Sequence, residues 1–297
     1  MRLALLISLA AVTAGAGTAL AQQRNAQPYR EHVPYIDWKP DVTGDIQHTG
    51  TYQYWKDRKA LNPDWVASKE HQWQLNWKFM DPSYDDTLHG GHIARDRGAA
   101  LYKKLDAGGA FAACLGARNG DLKGLRANHY PQYSTALGRV VGLEEMIEHC
   151  AARQNVTLEN GSYDNSAISV YVTEFSNGMP INIDVSKGPL KDAFERGRER
   201  FHLRNGATHF ACATCHVTLV GRSLRGQVLT TPYGDAAHWP TYRTKDELQS
   251  LHVRFAECNR NAGAQPLRPG SPVYSDIEVF LTALSNGYPV DVPSARD

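Results

Sequence analysis

Apolar positions recur in this chain with helical spacing in several places and almost nowhere with the alternation of a strand. Leu143, Met146, Ile147 and Cys150 fall at i, i+3, i+4 and i+7, one face of a helix, and Leu251, Arg254, Phe255 and Cys258 repeat that spacing. Thr244, followed three residues later by Glu247, has the form of a capping box and predicts the start of the second of these helices. Arg97-Gly98 is read as opening a helix that leads to Phe111 and Cys114, and Arg196-Gly197 as opening one that leads to Phe210 and Cys212. Asn177-Gly178 and Asn286-Gly287 each read as a helix stop followed by an extended tail. With strand patterns this sparse, the fold is expected to be mainly α.

These elements belong to one pattern run twice. Tyr130-Pro131-Gln132-Tyr133 matches Trp239-Pro240-Thr241-Tyr242, and Ser176–Ile183 (SNGMPINI) matches Ser285–Val292 (SNGYPVDV). Four anchors in the same order, at nearly the same spacing, predict two homologous domains in tandem, 92–188 and 189–297. Ahead of them, residues 22–91 hold Trp38, Trp55, Trp65, Trp73 and Trp77 with little helical periodicity beyond Trp65–Phe79. That stretch is read as an extended arm whose aromatics pack across the rest of the molecule.

Charge excludes more than it suggests. Over 297 residues, 32 Lys and Arg stand against 31 Asp and Glu, so nothing draws the chain to nucleic acid or to an anionic membrane. The N-terminus is more telling. Arg2, an apolar run from Leu3 to Val12 and the Ala19-Leu20-Ala21 close read as a secretory leader, residues 1–21, cleaved near Ala21. The run is too short and too broken by glycine to span a bilayer. The mature chain is therefore expected in the periplasm, where disulfides are permitted.

Cys212-Ala213-Thr214-Cys215-His216 is C-x-x-C-H, the attachment pattern of a c-type haem. Two thiols on one helical turn each form a thioether to the macrocycle, and the adjacent His becomes an iron ligand. A redox dithiol would call for a βαβ setting and a zinc site for further ligands at suitable spacing; neither is present. No Met follows His216, so the opposite axial ligand falls to Cys258, His238 or His252. Cys258 lies on the apolar face just described, with Arg254 one turn away. A guanidinium there favours the thiolate, and an arginine on an apolar stripe is costly unless it meets an anion.

In the first repeat, Cys114-Leu115-Gly116-Ala117-Arg118 stands opposite the C-x-x-C-H, with Ala and Arg where the second Cys and the His should be. That domain has lost its haem residues yet keeps Cys114 and Cys150, the counterparts of Cys212 and Cys258. The two are read as a disulfide, the alternative being separate buried thiols. The odd count of five Cys then resolves into two thioethers, one disulfide and one working thiol.

At Cys212–His216, Trp239–Tyr242, Leu251–Arg260 and Leu281–Pro289 the sequence resembles the SoxA family, the larger subunit of a periplasmic cytochrome complex in sulfur oxidation. The resemblance covers most of the mature chain. It implies two cytochrome c-like domains, here with the first lacking haem, and a single covalent haem c in the second. It also implies that Cys258 is the active cysteine, carried as a persulfide and ligating iron, and that Arg254 binds substrate. The activity implied is L-cysteine S-thiosulfotransferase: oxidative conjugation of thiosulfate to a cysteine of a SoxYZ-like carrier, with electrons leaving through a SoxX-like cytochrome. The alternatives weighed against it are a plain electron-transfer cytochrome, a thiosulfate dehydrogenase forming tetrathionate, and a haem sensor.

Overall fold

A computed structural model describes residues 89–219, 223–224, 227–229, 232, 234–243 and 247–296. The expected leader, the arm as far as residue 88 and the helix near Trp65–Phe79 lie outside the described residues. The first described helix, α1, runs Gly90–Leu105 and starts two residues before the expected domain boundary, with His89 Nδ1 accepting from the Gly91 N–H at 3.0 Å. After it come α2 (Ala110–Leu115), α3 (Leu122–Leu125), the hairpin β1 (Gln132–Ser134) and β2 (Arg139–Val141), α4 (Leu143–Ala152) and α5 (Tyr163–Glu174). Next in order are α6 (Gly188–His202), a wide π-type turn at Thr214–Thr218, and the short pair β3 (Ser223–Leu224) and β4 (Gln227–Val228). The chain then forms β5 (Thr241–Arg243), β6 (Glu247–Gln249), α7 (Leu251–Asn261), α8 (Pro272–Leu284) and β7 (Ser294–Arg296). The last sheet has the order β6-β5-β7, antiparallel then parallel.

The two Arg-Gly pairs do not open helices; each sits in the middle of one. Gly98 brings α1 so close to α5 that a Cβ there would lie 2.0 Å from the Ala167 carbonyl oxygen. Gly197 does the same for α6 on α8, where a Cβ would lie 1.9 Å from the Asp276 carbonyl oxygen. The arginine before each glycine then reaches across the crossing. Arg97 pairs with Asp164 through Nε and Nη2, and Arg196 pairs with Asp276 at 2.8 and 2.7 Å. The helix starts lie upstream, where Pro189 takes a first-turn position of α6 whose N–H has no partner anyway.

The start of α7 also differs from expectation. Glu247 belongs to β6, paired with β5, and Ser250 caps the helix, its Oγ accepting from the Val253 N–H. The hairpin register uses the residues that the capping-box reading assigned to a helix, and Thr244 itself lies outside the described residues.

Two buried clusters result. One centres on Phe111, Ile147, Cys150 and Ile168; the other centres on Phe194, Phe201, Tyr274 and Phe280. The tails after α5 and α8 pair with each other, Ile181 N–H to Tyr288 O at 2.8 Å and Val290 N–H to Met179 O at 2.9 Å. Their asparagines clasp reciprocally. Asn177 Oδ1 accepts from Val292 N–H at 3.0 Å, and Asn286 Oδ1 accepts from Ile183 N–H at 2.9 Å. Gly178 and Gly287 take positive φ, 77° and 88°, as the stops require. No described helix is long and apolar enough to cross a membrane.

Candidate functional site

α7 has two differently covered faces. Leu251, His252 and Ala256 are buried, whereas Arg254, Phe255 and Cys258 are only half-covered. The equivalent positions of α4, Met146, Ile147 and Cys150, are all buried. A stripe left half-covered at positions that α4 buries has room for something to lie against it.

What lies opposite is the C-x-x-C-H turn. The loop before it is clipped to the end of α7: Ala207 N–H donates to Gly263 O at 3.2 Å and Thr208 Oγ1 to Ala262 O at 2.9 Å. Gly206, at φ 68°, allows the approach, since a Cβ there would stand 2.4 Å from Ala262 O. The turn itself is held by Ala211 N–H donating to Thr214 Oγ1 at 3.0 Å, and Cys212 packs against the second core cluster.

Cys212, Cys215 and Cys258 are free thiols. Burial pushes the Cys212 thiol up to about 12, with Cys258 and then Cys215 adding to it. Burial also raises Cys215, helped by Cys258, while Arg254 pulls it back. Arg254 is raised above its ordinary value chiefly by the charge of Cys258, against burial and with further help from Glu257 and Asp235. Arg254 and Cys258 are thus near enough for their charges to interact, and Cys258 is likewise near the two thiols of the turn.

The alternative axial candidate His252 is committed elsewhere. Its Nε2 lies 2.9 Å from Glu278 Oε2 and its Nδ1 accepts the Gly270 N–H at 2.9 Å, so both ring nitrogens face protein groups. His238 is wholly buried in the turn before Trp239. Cys114 and Cys150 are joined as a disulfide, their Cα atoms 5.7 Å apart, between α2 and α4.

Sequence reasoning missed the surroundings of Arg254. Glu257 meets its Nη1 at 2.7 Å and also accepts from Gln249 Nε2 at 3.3 Å. Burial pushes the Glu257 carboxyl up, but Arg254, its hydrogen bond, Arg243 and Gln249 outweigh burial and hold it below the usual range. The acid at i+3 from Arg254 was the available sign.

The donor set suits a c-type haem: two thiols three residues apart on a turn, an adjacent His, and a soft sulfur on a half-covered facing helix. Comparison with known proteins points the same way. Residues 97–181 match the family described as SoxA/TsdA, cytochrome c domain. The L-cysteine S-thiosulfotransferase subunit SoxA of Allochromatium vinosum is 32% identical over 296 residues, 96% of each chain. The chain belongs to the SoxA family. The subunit of the same description from Chlorobaculum tepidum is 30% identical over 78% of each chain. Among solved structures, SoxXA from P. pantotrophus is similar in fold, with a TM-score of 0.63 at 23% identity, covering 74% of this chain and 86% of that one. The chain is thus a cytochrome c-type L-cysteine S-thiosulfotransferase subunit with a role in thiosulfate oxidation. The family match spans Cys114, Ala117 and Arg118 and ends before the C-x-x-C-H at Cys212–His216.

Proposed function

We propose that this chain, exported after loss of residues 1–21, joins thiosulfate to a carrier-protein cysteine using Cys258 and Arg254, in a complex with a SoxX-like cytochrome. The observation that carries the reading is the Arg254–Cys258 pair on the half-covered face of α7, opposite the free thiols Cys212 and Cys215. The chain is read as two tandem cytochrome c-like domains, 92–188 and 189–297. The disulfide Cys114–Cys150 stands in the first where the second has haem. The twin Arg-Gly crossings and reciprocal Asn clasps support that division.

One haem c would be held by Cys212 and Cys215 as thioethers, with His216 and Cys258 as the residues that would bind its iron. When bound, it supplies one-electron acceptance. The chain's residues do the rest. Arg254 holds the thiosulfate dianion and stabilises charge on sulfur as bonds change. Cys258, as a persulfide, joins its nucleophilic outer sulfur to the outer sulfur of thiosulfate with loss of two electrons, and attack of the carrier thiolate on that thiosulfate sulfur then releases the persulfide unchanged. The net change joins the outer sulfur of thiosulfate to the carrier thiol sulfur, releasing one proton and two electrons.

The test is electron release to an acceptor by the matured complex. Thiosulfate alone should release nothing; thiosulfate with carrier should, and Cys258→Ala should lower the rate by at least about 100-fold while keeping its covalent haem and changing its visible spectrum. Carrier-independent release, or normal turnover in the variant, overturns the reading.

A further inference from the structure

Arg254 has four side-chain torsions and lies on a helix face that is only partly covered. Something must fix it if its guanidinium is to meet a substrate in one orientation. Among the described residues its hydrogen bond goes to Glu257 alone, Nη1 to Oε2 at 2.7 Å, with the two side chains 24% and 18% exposed. An ordinary helical pair at i, i+3 is solvated and contributes a few tenths of a kcal/mol. This one is braced from behind. Gln249, 4% exposed on β6, donates to the same Glu257 oxygen at 3.3 Å and to Glu247 at 2.8 Å. Arg243, 5% exposed on β5, is near enough for its charge to act on the Glu257 carboxylate.

We propose that Glu257 is a positioning residue for the reaction: a strut from the β5–β6 hairpin that holds one edge of the Arg254 guanidinium and leaves its remaining N–H donors for the anion beside Cys258. The inference rests on the assignment of Arg254 to thiosulfate. It goes beyond that assignment in predicting a split between binding and turnover. The Glu257 charge opposes a dianion at Arg254, so it does not act by attracting substrate. It acts by restricting where the guanidinium points, a contribution felt in turnover more than in binding.

The experiment uses the haem-loaded complex carrying Glu257→Gln, Glu257→Ala, Arg254→Ala and the double variant Arg254→Ala/Glu257→Ala. Thiosulfate affinity is read by calorimetry without carrier, and kcat and KM with it; the visible spectrum checks haem attachment. Glu257→Gln keeps the volume and an acceptor for Gln249, so it decides the matter if the alanine variant fails to fold. Expected are a kcat lower by about tenfold in Glu257→Gln with thiosulfate bound as tightly as before, or up to about threefold more tightly. Adding Glu257→Ala to Arg254→Ala should change kcat/KM by less than about twofold. A Glu257→Gln kcat within about twofold of the parent overturns the proposal, as does an equal Glu257→Ala loss with Arg254 already gone. If Arg254→Ala binds thiosulfate normally, the assignment of Arg254 falls and this inference with it. If only the Glu257 variants are silent, the assignment stands.

Discussion

At the scale of residues, the chemistry was legible wherever it was written in spacing. C-x-x-C-H needs no tertiary context, and Arg254 and Cys258 share a helix face by counting alone. Arg254 is also where charge and shape can be separated. Arg254→Lys keeps the positive charge but loses the fork that can hold Glu257 and an anion together. Covalent haem should be retained, with the KM for thiosulfate up by about fivefold or more; an unchanged KM contradicts a role for the guanidinium. Glu257 could not be singled out in advance, because acids at i+3 from arginines are common helix-surface pairs. What distinguishes it is Gln249 and Arg243 behind it, brought there by the hairpin. His252 was ambiguous for the same reason, and only the fold brings Glu278 and Gly270 against its two ring nitrogens.

Among elements, periodicity found α4 and α7 and the stops after α5 and α8, but it misplaced helix starts. Arg97-Gly98 and Arg196-Gly197 were visible as repeated anchors, and their role was not. A glycine in mid-helix has no local signature that separates a helix start from a close crossing; Ala167 and Asp276, which it must approach, lie about 70 to 80 residues away in sequence. Gly197→Ala puts a methyl 1.9 Å from a backbone oxygen, so α6 and α8 must separate at the centre of the second core. A loss of about 3 kcal/mol or more in urea unfolding is expected. A loss under about 1 kcal/mol contradicts the crossing as described. Ser250 caps α7 because β6 takes Glu247–Gln249 just before it.

For the whole molecule, the seam between α4 and α8 holds buried carboxyl groups. Glu145 on α4 meets Arg139 and accepts from Ser275 Oγ on α8 at 2.9 Å, while Glu144 accepts from Ser169 Oγ at 2.9 Å. Burial, then the Glu278 carboxylate, pushes Glu144 up to about 7; its hydrogen bond from Ser169 and the nearby His252 oppose this. Glu144 holds a proton in the folded chain that the unfolded chain has released. The stability it contributes is present below its unfolded pKa and is lost as pH rises through the folded one. Unfolding free energy should therefore fall between about pH 4 and pH 7. Glu144→Gln should flatten that fall by about 2 kcal/mol, and an unaltered pH profile contradicts the buried-carboxyl account. None of this seam was visible in the sequence, because Glu144 and Glu278 sit at exposed-looking positions of their own helices.

The central claim is that Cys258 works as a persulfide. The most direct measurement is the mass of the Cys258 peptide from natively matured protein, alkylated without reduction. One additional sulfur atom is the predicted result. A plain alkylated thiol, from protein that still conjugates thiosulfate to its carrier, would contradict the claim and leave Cys258 as a ligand alone.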